Sequence, residues 1–107
     1  MSYNLPVKWT KKAQKDINDF RSFAHPDSQD NVKFYIQSMV KFSLNLSSSP
    51  YLGKVLFIIP NSNIEIRQLV FKKHRLLYYV DDKVHIVSAL HTRKNIDTTI
   101  QYLEENL

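Results

Sequence analysis

The sequence predicts an α+β fold: an N-terminal strand and an antiparallel helical hairpin packed on one face of a mainly antiparallel sheet, with a short C-terminal helix. Three observations carry this reading. Before residue 47, apolar residues recur every three to four positions in two stretches divided by a proline turn, the pattern of two amphipathic helices. After Gly53, β-branched and aromatic residues gather in short runs separated by turn residues. Helical runs followed by strand runs give helices on one side of an antiparallel sheet, not alternating parallel units. The 107 residues suit one domain, taken as 1–107.

Tyr3, Leu5, Val7 and Trp9 alternate, so 3–9 reads as the first strand, and Pro6, lacking an N–H for the ladder, holds it to a sheet edge. Trp9 is assigned to the core. Thr10 is placed to cap a helix whose apolar stripe is Ala13, Ile17, Phe20 and Ala24. Lys12 with Asp16 and Lys15 with Asp19 stand four apart on its wet side. His25-Pro26-Asp27-Ser28 ends that helix, because the residue before a proline avoids helical backbone, and Asp27 or Ser28 caps the next. Val32, Ile36, Met39, Val40 and Leu46 carry the second helix to about Leu46, where Ser47-Ser48-Ser49-Pro50 breaks it. A link this short makes the pair a hairpin.

Val55–Ile59 reads as an apolar run and 60–63 as a turn. Three strands follow, 64–71, 75–80 and 84–90, the last two joined by the Asp81-Asp82-Lys83 turn. Asn95 or Asp97 caps a final helix through Ile100 and Leu103.

Composition excludes several classes of chemistry. The absence of cysteine rules out a disulfide framework, a thiolate zinc site and a cysteine nucleophile. One glycine in the whole chain leaves no phosphate-cradling loop. With no signal-like leader and no apolar run of spanning length, a cytoplasmic protein without membrane contact is expected. No carboxylate pair is set for acid–base work, since Asp81 and Asp82 belong to a turn and Glu104 and Glu105 to the last helix. No cofactor or metal is expected: His74 and His91 can meet across strands, but among cations that oppose a divalent ion. The net charge of +5 combines a basic body with an acidic last helix, since no lysine or arginine follows Lys94. Such a body favours a polyanion or an acidic protein partner.

Strand pairing gathers the cations. Through a two- or three-residue turn at 81–83, Arg75 falls opposite Ser88 to Leu90, with His91 and Arg93 just beyond. The Lys72-Lys73-His74 turn closes the same sheet end. Lys72, Lys73, His74, Arg75, His91, Arg93 and Lys94 are therefore expected on one rim, with Arg67 farther along, opposite about Tyr79. Their mutual repulsion is relieved by a bound phosphate chain or acidic peptide. The alternative is plain: turn lysines are solvated, and Arg75 or Arg93 pairs with a carboxylate such as Asp97. His25 reads as a surface or capping group and His85 as a packing residue, while Tyr78 and Tyr79 face opposite sides of the sheet, one of them into the core.

Lys8-Trp9-Thr10 ahead of the first helix, Leu52-Gly53-Lys54, Ile66-Arg67-Gln68-Leu69, His74-Arg75-Leu76-Leu77-Tyr78-Tyr79 and His91-Thr92-Arg93-Lys94 follow one another as in the RelE/ParE toxin superfamily, which the chain resembles over nearly its whole length. The resemblance implies the toxin of a type II toxin-antitoxin (plasmid stabilisation) system, bound by a cognate acidic antitoxin in a complex that can be of higher order. RelE-like members cleave mRNA on the ribosome; ParE-like members inhibit DNA gyrase. Arg75 and Arg93 match arginines of the family, but Ile66 and Gln68 stand where the nuclease carries strand lysines, and Thr99 where it carries a tyrosine. The sequence is therefore closer to ParE-like members. Were it instead a ribosome-dependent mRNA endoribonuclease, His91 would be its proton-transfer residue; a non-toxic basic interaction domain is the third reading.

Overall fold

The computed structural model describes residues 2–107. One five-stranded sheet has the order β1-β5-β4-β3-β2, built from β1 (Val7–Trp9), β2 (Lys54–Ile58), β3 (Glu65–Phe71), β4 (His74–Val80) and β5 (Val84–His91). β1 runs parallel to β5, and the other neighbouring pairs are antiparallel. Helices α1 (Lys11–Ser22) and α2 (Gln29–Ser43) cover one face, and α3 (Ile96–Asn106) lies on the other.

Each helix is placed by its apolar stripe. Ile17 of α1 and Ile36 and Met39 of α2 pack against Leu76, Ala89 and Phe71 of the sheet. Ala13 meets Tyr78, Val84 and Ile86. On the far face Leu103 sits among Ile59, Ile66, Leu77 and Val87. Side chains this deeply buried each contribute roughly 1.5–3 kcal/mol by leaving water, which is what docks short helices that would not persist alone. Thr10 starts α1 as expected: its Oγ1 accepts from the Ala13 amide at 3.3 Å, and its hydroxyl donates to the Ile86 carbonyl at 2.9 Å, fastening the helix start to β5. Asn95, not Asp97, caps α3, accepting from the Asp97 amide at 2.9 Å.

Several expected boundaries shift. The first strand is confined to Val7–Trp9: Pro6 offers only its carbonyl, which accepts from the Val84 amide at 2.8 Å, and Tyr3 instead packs edge-on against Tyr51. Neither Asp27 nor Ser28 supplies the side-chain cap after the proline. His25 does, its Nδ1 accepting from the Asp27 amide at 3.1 Å to open a 3-10 turn at Pro26–Ser28. α2 stops at Ser43 and tightens into a 3-10 turn at Leu44–Ser47. The buried Ser43 hydroxyl there donates to the Val40 carbonyl at 2.6 Å and accepts from Trp9 Nε1 at 3.1 Å. A hydroxyl bonded back to its own helix is a recognised disturbance of regular α-structure.

The β4–β5 register carries the site. From Val80↔Val84 to Tyr78↔Ile86 the pairing is regular; then Val87 is extruded, and Leu77 pairs with Ser88, Arg75 with Leu90 and His74 with His91. A one-residue slip exchanges the faces of everything beyond it. Asp16 holds the bulge, accepting from Ser88 Oγ at 2.7 Å and from the Ala89 amide at 3.0 Å while paired with Lys12.

Candidate functional site

The sheet end at the β3–β4 turn is closed by two hydrogen-bonded loops. Lys72 and Lys73 form a two-residue turn between the paired Phe71 and His74. The Lys73 carbonyl accepts from the Thr92 amide at 2.8 Å, tying this turn to the segment after β5. His91 Nδ1 accepts from the Arg93 amide at 3.1 Å, and the His91 carbonyl from the Lys94 amide at 2.9 Å, so both cations sit on a defined loop.

Behind the turn, His74 is buried in an aromatic nest. Its ring lies 4.7 Å from that of Phe20, 5.4 Å from Tyr35 and 5.3 Å from His91, and its Nδ1 shares a 2.7 Å hydrogen bond with the Tyr35 hydroxyl. Burial, with smaller contributions from His91 and Lys94, pushes the His74 imidazole down from 6.5 to about 4, Asp16 opposing. Burial also raises the Tyr35 phenol. His74 is thus a neutral packing residue at neutral pH and does not join the cationic rim to which the sequence assigned it.

Two hollows flank this pair. One, of about 220 Å³, is bounded by Asp16, Asp19, Phe20, Phe23, His91 and Lys94. The other, of about 430 Å³, lies between Phe20, Val32, Tyr35, Lys72, Lys73 and His91. Phe20, His74 and His91 border both, making one groove with an aromatic floor, lysines at its lips and Asp16 and Asp19 on its α1 side.

The expected rim is divided between faces. His74 and Leu76 look toward the helices and Leu77 toward α3, so Arg75 between them falls on the α3 face by alternation. Lys72, Lys73, Arg93 and Lys94 are exposed at the tip and Arg75 is half-buried. Among the described residues none of these five makes a salt bridge, Asp97 included as a partner for Arg75 or Arg93.

Arg67 lies apart from the rim. It pairs with Tyr78 instead of Tyr79, because the turn holds two residues and not three. Its Nη1 donates to the Gly53 carbonyl at 2.8 Å and to that of Tyr51 at 3.4 Å, and its guanidinium lies 4.9 Å from the centre of the Tyr51 ring. Tyr78 is the core member of the tyrosine pair. Tyr79 stacks on His85 at 4.4 Å, and His85 Nε2 meets Asp81 Oδ1 at 2.8 Å.

Sequence reasoning missed Phe20, Tyr35 and Asp16 as parts of the groove. Phe20 and Tyr35 look like ordinary helix residues, and Asp16 shows in the sequence only as an i,i+4 partner for Lys12. Chemically the arrangement presents exposed cations at the lips of a largely aromatic groove, with Asp16 and Asp19 on its α1 side, and the cationic lips suit an anionic macromolecule with an apolar or planar component. Compared with models of known protein families, residues 7–96 match the one described as ParE toxin of type II toxin-antitoxin system, parDE. No curated protein sequence matches at a significant level.

Proposed function

We propose, from the premise that the chain belongs to the ParE toxin family of type II toxin-antitoxin systems, that it arrests growth by inhibiting DNA gyrase in the cytoplasm and is neutralised there by its cognate acidic antitoxin. One observation favours gyrase over a ribosomal mRNA target. Ile66 is fully buried beneath α3, Gln68 Oε1 is closed to solvent, and Thr99 is buried in α3. The positions that hold the lysines and tyrosine of the nuclease branch therefore offer no exposed cation or phenol. A gyrase inhibitor needs a shaped, charged surface and no proton carrier, and the groove with its cationic lips supplies that. The antitoxin is expected to be an acidic, partly disordered segment that orders on binding, since the toxin's excess charge and groove complement such a chain. Toxin and antitoxin can then assemble to higher order.

Induced expression followed by pulse-labelling tests the reading. DNA synthesis should stop before translation, purified chain should block supercoiling by gyrase, and co-expressed antitoxin should restore growth. Translation stopping first, with new 5′ ends on translated mRNA, would replace gyrase by the ribosome.

A further inference from the structure

Among the described residues three non-glycine residues have positive φ: Asn61 at 66°, Asn63 at 60° and Lys72 at 51°. Asparagine tolerates this backbone; lysine does so poorly, because its Cβ crowds the neighbouring carbonyl. Lys72 opens a two-residue hairpin turn, where glycine or asparagine meets the same demand with less strain. Strain kept at a position where a cheaper residue exists points to a use for the side chain. That side chain is a cation that makes no salt bridge among the described residues, its ammonium 5.5 Å from the centre of the Phe71 ring. Lys73 is exposed beside it, and the bond from Thr92 to the Lys73 carbonyl fixes the turn against the loop bearing Arg93 and Lys94.

We infer that the Lys72-Lys73 turn and the Arg93-Lys94 loop form one docking edge for the phosphate backbone of duplex DNA. Three of these four side chains are lysines, point charges that suit the continuous charge of a phosphate chain better than the two-pronged capture of single carboxylates. They crown loops at the sheet end and are all exposed, so they address a surface larger than the groove behind them. Contacts of this kind fix position without reading sequence. The edge stands on its own observations and does not require gyrase as the target.

The test is fluorescence anisotropy of the full chain with a labelled 20-base-pair duplex over a salt series. Four phosphate contacts give a log K against log salt slope of about −3.6. Lys72→Asn should make that slope shallower by about 1 and, by relieving the backbone, raise the melting temperature by a few degrees. Lys72→Asn with Lys73→Gln should remove about 2 from the slope. Three results would overturn the inference: a slope unchanged in the double variant, tighter binding of poly-glutamate than of the duplex at equal charge concentration, or an RNA hairpin bound tenfold tighter than the DNA. Binding through this edge by a chain that leaves gyrase supercoiling untouched upholds the edge and removes the gyrase reading.

Discussion

Beside β2, Arg67 is held within the fold: its Nη1 donates to two backbone carbonyls, the Tyr51 ring lies against it, and Glu65 stands 3.9 Å away. At the β3–β4 turn end, Lys72, Lys73, Arg75, Arg93 and Lys94 have no salt bridge among the described residues. Both sets are basic residues in or beside one sheet, and sequence reasoning groups them together as binding residues. Their surroundings separate them. A cation whose donors are used inside the molecule contributes to the fold, and its loss lowers stability. One left without partners adds repulsion, and its loss is felt in binding.

The strongest way to break the comparison is at Gly53, the hub of the engaged region. A Cβ there would stand 2.6 Å from the Gln68 carbonyl oxygen and 2.8 Å from the ring and hydroxyl of the buried Tyr78, which accepts the Gly53 amide at 2.8 Å. Neither β3 backbone nor a core tyrosine yields easily, so Gly53→Ala should cost about 3 kcal/mol, read as a lower denaturation midpoint. An alanine variant within about 0.5 kcal/mol of the parent would show that this edge is plastic and that Arg67's bonds are incidental.

The next largest effect separates the groove floor from its lips. His74 has a folded pKa of about 4 against an ordinary 6.5, so it binds fewer protons folded than unfolded between those values. Its contribution is therefore fully present above pH 6.5 and lost as pH falls toward 4, by about 3 kcal/mol at most. His74→Phe keeps a ring and removes the titration, so the wild-type minus variant difference in stability should fall across that window and stay flat above it. A difference that is constant from pH 4 to 7 would mean that His74 is solvated and belongs with the lips after all.

The comparison sharpens most directly by truncating arginines on each side. Arg67→Ala should lower stability by roughly 1–2 kcal/mol, from lost bonds to carbonyls, while leaving growth inhibition per folded molecule intact. Arg75→Ala and Arg93→Ala should change stability by less than about 0.5 kcal/mol yet each weaken growth inhibition at matched expression, Lys72→Ala less so. Equal inhibition by all of them would move the target-binding surface elsewhere.

How far the sequence carried these distinctions depends on range. Local chemistry was legible: the Thr10 cap, the proline break, the turn at 81–83, the edge position of β1 and an α3 start at Asn95 or Asp97, of which the structure uses Asn95, all follow from a few neighbouring residues. Arg75 was placed within reach of Leu90 by counting from the turn. What counting cannot reveal is the extruded Val87, because Asp16, far away in the chain, holds it. Without the bulge His74 would face Leu90, and His91 would not join the groove floor. The burial of His74 was hidden for the same reason, since Phe20 and Tyr35 reach it from two helices.

His91 is where the comparison has its smallest expected effect. It sits between the two kinds of surroundings: half-buried, ring against His74, Nδ1 occupied by the Arg93 amide. With Nδ1 accepting that amide, the neutral ring carries its proton on Nε2 and has no free lone pair, so in a nuclease the bond to the Arg93 amide would have to break before the ring could take the proton from an attacking 2′-hydroxyl. A gyrase inhibitor asks only that the side chain hold the Arg93-Lys94 loop, which a glutamine oxygen can do by accepting from the same amide. His91→Gln should therefore leave growth inhibition and cellular mRNA unchanged, whereas His91→Ala, with no acceptor for the loop, should weaken inhibition modestly. If the glutamine variant is inert while the parent generates new 5′ ends on translated messages, the imidazole is acting as a base, His91 becomes the proton-transfer residue of a ribosome-dependent endoribonuclease, and Arg75 and Arg93 become its phosphate contacts.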